Sequence, residues 1–587
     1  MLLNDLGDNG GVGFGTVLSA QVLVVGSVTP VREVIVRELS QNGVGSLARG
    51  GIRSLGPNGV RANDIRVADL IVIAELDEPQ DYLVNMSVEA VGITQILPVL
   101  RVGDELMFGP WQDRGGPARI PSLLMRMTDN SVTGVDEWWR ATAGMPVANS
   151  TSAAMPQLAK EIIASTAAFE AFCRLGGIRL REDPAIVRLD VNTLEMTAEN
   201  APDHPCALKP GVPQVPTAAM DGETAGGTQY DCLSTLSGRV AGAIGRFADD
   251  DVPQIPVRVG LVEYPLGGSV PVVGFSSADL QTARVDAAHN ALRHYALDMA
   301  RRAAKTNAVR AKADFTSFDT TLIREDGVAM ECVSAVDLTG SSSGHRVLVP
   351  IDAALAGPWD LQTARYVPDW NDVSVAAASE DSAHAALLRA LGASAVREAE
   401  AGRVDVLQVL PEEVFDAAGS EGSSLVRSLL AGARSFGLDP TVLVVDREVP
   451  TVLVEANEND GRALVGVGDT VLGAVENALT SVVGLAQIGK TQWRQAGTKM
   501  WRIPSSCLRR CPGSDLVLGS IMRHVSETPL LETAIRRGHH PVLVDITPLD
   551  LRGLVLIARV LLVSAPELGG RSLPTDSPQA KNPVERR

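Results

Sequence analysis

With 587 residues, 45% of them apolar, and 55 Gly and 34 Pro, the chain exceeds what one hydrophobic core usually organises, so at least two packed domains are expected. A net charge of −18 excludes nucleic acid as the main partner, because phosphate binding needs clustered Lys and Arg. The opening "MLLNDLGDNGG" has no basic signal region, "LRGLVLIARVLLV" is broken by Arg559, and the six cysteines are scattered, so a cytoplasmic chain with free thiols and no membrane span is expected.

In chain order, "AQVLVVGSV" is a β-branched run ending near Gly26, followed by the amphipathic helix "PVREVIVRELSQNG" and a second apolar strand, "ADLIVIAEL". "TQILPVLRVG" and "ELMFGPW" extend this to an open, mostly parallel sheet of doubly wound, Rossmann type. A phosphate site at the first turn needs small residues and free amides, whereas "GSVTPV" supplies Val28, Thr29 and Pro30, and "VGSLARGG" offers no acid for ribose hydroxyls. A nucleotide-type fold without a working nucleotide site is the expectation. The opposing reading is a dinucleotide-binding oxidoreductase.

Further along, "MPQLAKEIIASTAAFEAFCRLG" predicts a long helix with Ile162, Phe169, Phe172 and Cys173 on its buried face. Trp138 and Trp139 are candidates either to line a peptide groove or to make satellite core contacts. Pro- and Gly-rich composition after Pro202 marks a domain boundary. Cys507 and Cys511 of "CLRRC" are spaced to share a helical face, as structural thiols or as metal ligands; no zinc site is assigned to them. The polar, Pro-containing tail from about residue 571 is expected to be mobile.

Four segments, "VLVVGS", "LPVLRVGDELMFGPW", "GGPARIPSLLMRM" with "DEWWR", and "DHPCA", resemble the ThiF-like partner domain of azoline-forming cyclodehydratases, enzymes that install thiazoline and oxazoline rings in ribosomal peptides. From about Gln229, "VVGFSSADLQTARVDAAHNALRHYA", "EDSAHAALLRALGASAVREAEAG", "GRALVGVGDTVLGAVENALTSVVGLAQ" and "GHHPVLVDITPLDLRGLVLIARVLL" resemble the YcaO domain. The resemblance implies an α/β chain divided into a ThiF-like domain at 1–212, a linker at 213–228 and a YcaO-like domain at 229–587. Family members of the first type usually gather cysteines on a structural zinc; here the corresponding segments offer Pro121, Ser122 and Leu124, and only Cys206 remains. Ordinary packing is expected to hold that corner.

The resemblance also implies three helices whose acidic residues and amides hold Mg²⁺ and the phosphates of ATP, since hard cations need oxygen ligands sharing one helical face. An Ala-Leu anchor in "NALRH", "RALGA" and "NALTS" sets the register. It places His294 and Leu297, Ala393 and Val396, and Ser481 and Gly484 where ligands belong, with Asp298 in place of an arginine and Phe275 in place of a lysine. Moving the first pair back one turn gives Asn290 and Arg293 instead. The implied function is a catalytically degenerate cyclodehydratase-like subunit without cofactor, which binds a precursor peptide or an active partner. The alternative is an active enzyme using ATP and Mg²⁺ to convert Cys, Ser or Thr to azolines. Because the chain opens almost at once into its first strand, the leader-binding module is expected on a separate ThiF-like or YcaO subunit, in a hetero- or homo-oligomer.

Overall fold

A computed structural model describes residues 10–26, 29–47, 50–56, 59–75, 94–113, 119–142, 155–181, 184–207, 229–264, 270–307, 320–323, 329–339, 346–350, 374–377, 382–409, 424–446, 448–456, 462–488, 502–504, 508–512, 527–551 and 555–564. The expected linker at 213–228, the tail from 571 and Cys507 lie outside the described residues.

The first half is a seven-stranded sheet of β1 (Gln21–Val25), β2 (Gly51–Leu55), β3 (Leu70–Glu75), β4 (Gln95–Val102), β5 (Glu105–Phe108), β6 (Ala185–Asp190) and β7 (Met196–Asn200), in the order β2-β1-β3-β4-β5-β6-β7. β2, β1, β3 and β4 pair in parallel, whereas β4 to β7 pair antiparallel. The sheet is therefore mixed rather than mostly parallel. Connections of two residues between β4 and β5, and of five between β6 and β7, leave no room for a crossover helix.

Both faces of β1, β3 and β4 are covered, which explains their continuous apolar composition. Val22, Val24, Leu70 and Val72 meet α1 (Pro30–Gln41) on one face; Leu23, Val25, Ile71 and Ile73 pack on the other with α2 (Arg119–Asp129) and α3 (Val135–Thr142). At the first turn Thr29 caps α1, Pro30 opens it and Arg32 donates to Gly26 O at 2.8 Å. Gly26 is required there by β3, because a Cβ would lie 1.9 Å from Ala74 O.

α4 (Gln157–Leu175) corrects the expected buried face. Of the expected residues Cys173 is buried and Ile162 and Phe172 pack half-buried against the core, but Phe169 is 43% exposed, and the centre of the buried face is Ala159, Ile163, Ala164, Ala167, Ala168 and Ala171. Small side chains let α4 lie close against α1 and the sheet, a gain that larger residues would forfeit. Trp138 is likewise interior at 2% exposure and donates to Arg101 O, while half-buried Trp139 donates to Thr128 Oγ1. Trp138 thus presents no wall to a peptide groove. Its indole has one donor, and a main-chain carbonyl takes it.

The second half contains a hairpin of β8 (Arg258–Tyr264) and β9 (Val270–Ser276), the helix α5 (Leu280–Asn307) and two six-stranded sheets. One sheet contains β10 (Thr320–Ile323), β11 (Ala329–Asp337), β12 (Arg346–Pro350), β13 (Ser374–Ala377), β20 (His539–Asp545) and β21 (Leu556–Ser564); the helix α6 (Ser382–Glu400) follows β13. The other contains β14 (Val406–Val409), β15 (Thr441–Asp446), β16 (Thr451–Glu455), β17 (Arg462–Val467), β18 (Arg502–Pro504) and β19 (Arg510–Pro512), with the helix α7 (Val471–Ile488) after β17. Pairing in both is antiparallel except between β14 and β19. Cys511 sits on β19, so the helical face expected for Cys507 and Cys511 does not exist.

α7 is apolar and long enough to cross a membrane, contrary to the expectation that no segment is, yet its apolar window is 61% buried and packs on β15, β16 and β17. Glycines set the helix positions. A Cβ on Gly274 would lie 2.2 Å from Ala287 N, and one on Gly466 would lie 2.1 Å from Ala474 O, so β9 and β17 touch the backbones of α5 and α7 directly.

Candidate functional site

Because β9 lies on α5, its last residues meet the polar face of that helix. Asp286, Asn290 and Arg293, spaced at i, i+4 and i+7, share this face. Asp286 accepts from Phe275 N at 3.2 Å, Asn290 Nδ2 donates to Val273 O at 2.8 Å, and Arg293 donates to Asn290 Oδ1. Arg389 on α6 is close enough to act on the Asp286 carboxyl together with Arg293 and the Asn290 amide. Burial is the largest influence and pushes this carboxyl above the usual carboxylate range, while Arg293, the Phe275 amide, Arg389 and Asn290 oppose it.

The structure thereby corrects the first helix register. Leu297 is 5% exposed in the apolar core, the His294 ring lies 5.8 Å from that of Tyr264, and Asp298 accepts from the Tyr264 hydroxyl. Asn290 and Arg293, one turn earlier, occupy the face that a ligand would meet. The same one-turn step applies to α6. Ala393 and Val396 are buried among Val406, Leu443 and Leu453, and the step moves the pair to Arg389 and Gly392. Arg389 escaped the sequence reading because the Ala-Leu anchor was aligned a turn too late.

On α7 the expected positions are Ser481 and Gly484. Ser481 Oγ donates back to Asn477 O at 2.9 Å, and Gly484 lies under the Phe275 ring, where a Cβ would be 2.2 Å from Phe275 Cδ1. Two of the expected positions are therefore in contact. The aromatic ring fills the space in which a side chain at 484 would project. His289, half-buried on α5, pairs with Gln229 at 3.1 Å; burial, then Arg293, pushes it down to about 4.

The unfolded chain protonates His289 below 6.5 while the folded chain refuses the proton until about 4, so stability is full above 6.5 and declines as pH falls towards 4. His289→Gln is expected to flatten the pH dependence of the urea midpoint within that window. A slope unchanged from the parent protein would contradict it.

Guanidinium and amide N–H groups donate hydrogen bonds and offer no lone pair to a cation, while Mg²⁺ demands an octahedron of oxygens. Arg293, Arg389, Asn290, Phe275 and Gly484 do not fit Mg·ATP. Asp286 is the one carboxylate described on this face, and two guanidiniums already act on it.

The corner expected to have lost zinc is held by a polar network rather than by packing alone. His204 N donates to Ser122 Oγ, His204 Nε2 meets Asp129 Oδ2 at 2.9 Å, and His204 Nδ1 accepts from Cys206 N at 3.1 Å. Arg302 of α5 pairs with the other Asp129 oxygen. Both ring nitrogens of His204 are thus engaged, and no group of three His, Cys, Asp or Glu suited to a metal occurs among the described residues. Zinc does not fit. Burial raises the Asp129 carboxyl, but His204 and Arg302 outweigh it and hold it below the usual 3.8.

A lowered folded value means that this contribution is complete above 3.8 and lost as pH falls through the folded value. Asp129→Asn is expected to cost about 1–3 kcal/mol near neutrality and to shrink the acid-side loss of stability. EDTA should leave the melting temperature of the parent protein unchanged. A chelator-induced drop would reinstate the metal.

Beside this corner, Arg126 of α2 bonds Pro202 O at 3.1 Å, Asp203 O at 3.0 Å and Tyr295 Oη of α5 at 2.6 Å, and pairs with Asp550. Its side chain is 1% exposed and that of Asp550 0%. The two halves of the chain are joined through a fully buried ion pair.

No family model matches the chain, and no curated protein matches it. Solved structures do. A heterocyclase in complex with substrate and cofactor superposes with a TM-score of 0.64 at 14% identity, over 96% of this chain and 82% of that one. The heterocyclase TruD superposes with a TM-score of 0.55 at 15% identity, over 96% and 81%. YcaO from Methanopyrus kandleri bound with AMPPCP and Mg²⁺ overlaps 54% of this chain and 85% of its own, at 18% identity and a TM-score of 0.37. The chain has the α/β fold of the two heterocyclases across nearly its whole length.

Proposed function

We propose that this chain is a YcaO-family protein of azole or azoline peptide biosynthesis, with a ThiF-like domain at 1–212 and a YcaO-like domain at 229–587, acting as a catalytically silent subunit. It binds a ribosomal precursor peptide or an active partner subunit and positions it in a cytoplasmic hetero- or homo-oligomeric complex. The heterocyclase fold supports the family and the pathway class. The observation that carries the silence is the face shared by β9, α5, α6 and α7: donors where a metal-bound triphosphate needs oxygens, and an aromatic ring over Gly484. Without compensation of the phosphate charge by cations, ATP affinity falls below useful levels.

Calorimetric titration with Mg·ATP, alone and with candidate partner subunits, tests this, together with a mass-spectrometric search for loss of water from a precursor peptide. Absence of both, with stable co-purification of peptide or partner, is the expected result. Mg²⁺-dependent ATP binding accompanied by water loss would instead make the chain an active cyclodehydratase.

A further inference from the structure

The face that does not suit Mg·ATP is not featureless. Two elements bring hydrogen-bond donors to one point, the Phe275 N–H from β9 and the Asn290 carboxamide and Arg293 guanidinium from α5, and the Arg389 guanidinium from α6 acts electrostatically on the carboxyl there. At that point stands a carboxylate of the chain itself, Asp286. Asp286 is exposed to solvent and accepts from the Phe275 amide on the helix face that Asn290 and Arg293 share. Guanidinium forks and amide N–H groups match the oxygens of carboxylate and phosphate and have nothing to offer a cation. In a chain of net charge −18, two arginines from separate helices converging on one solvent-reached carboxylate form a local inversion of sign.

We infer that this face is a metal-free oxyanion site, in which Asp286 is the resident counter-ion that an incoming phosphate or carboxylate displaces. The inference rests on the reading that this face does not hold Mg·ATP, and it adds what the face holds instead. Two sources supply the chemistry: a phosphate group, or the terminal carboxylate of a peptide. Either would meet Phe275 N–H, Asn290, Arg293 and Arg389, and neither needs Mg²⁺. Asp286→Asn removes the competing negative charge and keeps every donor. Removing Arg389 takes away the donor that α6 contributes.

Calorimetry in EDTA at low ionic strength tests it, with inorganic phosphate in one arm and an N-acetylated dipeptide bearing a free carboxylate in the other. Asp286→Asn is expected to tighten one of the two by about tenfold, and Arg389→Gln to abolish that binding. Arg389→Lys, which keeps the charge, should retain weakened binding, and melting curves confirm that each variant is folded. Saturation by phosphate alone assigns a phosphate source, and saturation by the dipeptide alone assigns a peptide carboxylate. Binding of neither by the parent protein or by Asp286→Asn overturns the inference, as does tight binding indifferent to both Asp286→Asn and Arg389→Gln. Mg²⁺-dependent binding of ATP in a separate titration would overturn the underlying reading instead, so the two failures are distinguishable.

Discussion

Arg126→Met is expected to destabilise the folded chain by about 3–5 kcal/mol, read as a lowered urea or thermal midpoint, because it leaves the carboxylate of Asp550 buried without its cation. The Arg126 guanidinium also satisfies the carbonyls of Pro202 and Asp203 and binds the Tyr295 hydroxyl, so its removal orphans groups in both halves at once. The double variant Arg126→Met with Asp550→Leu should recover most of the loss, since an apolar pair no longer strands a charge. A single variant with an unchanged midpoint would show that the pair is not holding the halves together.

The second large effect is expected at Gly274. A Cβ there overlaps Ala287 N at 2.2 Å and Ala283 O at 2.4 Å, both backbone atoms of α5 that cannot rotate aside. Gly274→Val should therefore push β9 off the helix at a cost of about 3 kcal/mol or more. It should also separate Phe275 N from Asp286, and so change oxyanion binding as well as the melting temperature. Gly177→Ala is a useful contrast, because a Cβ there meets nothing within 4 Å and only its φ of +82° opposes the change. Equal melting temperatures for Gly274→Val and the parent protein would refute the close approach.

Much of the framework was legible because its signals are local and strong. The strands of "AQVLVVGSV" and "ADLIVIAEL" lie buried on both faces, and the Thr29-Pro30 start of α1 is a cap that sequence alone declares. The antiparallel turn from β4 onward was less legible, since "TQILPVLRVG" and "ELMFGPW" are apolar enough to pass for parallel strands, and only the short connections distinguish them. The α4 face was legible only in part, because a phenylalanine in an amphipathic pattern marks both half-buried Phe172 and exposed Phe169, whereas five alanines and an isoleucine supply the closer fit to α1.

At the candidate site the three helices were legible and the turn of α5 that faces β9 was not. A helix repeats its face every three or four residues, so an anchor misplaced by one turn still yields an amphipathic pattern, and only the contact with β9 distinguishes Asn290 and Arg293 from His294 and Leu297. Arg389 acts on the Asp286 carboxyl from a helix about a hundred positions further along the chain, a relation that no local spacing encodes. Likewise the scarcity of cysteines was plain from "GGPARIPSLLMRM" and "DHPCA", but the network of Ser122, His204, Asp129 and Arg302 draws one member from the other half of the chain.

The stacking of Phe275 on Gly484 imposes an order on future change. Any route by which this chain acquires a side chain at position 484 must begin with a smaller residue at 275, because the reverse order forces a collision before a benefit exists. A lone substitution at 275 leaves a hollow above α7 and gains no ligand. Two steps, the first unrewarded, stand between the present pair and one with a side chain at 484, which makes the order of change a ratchet.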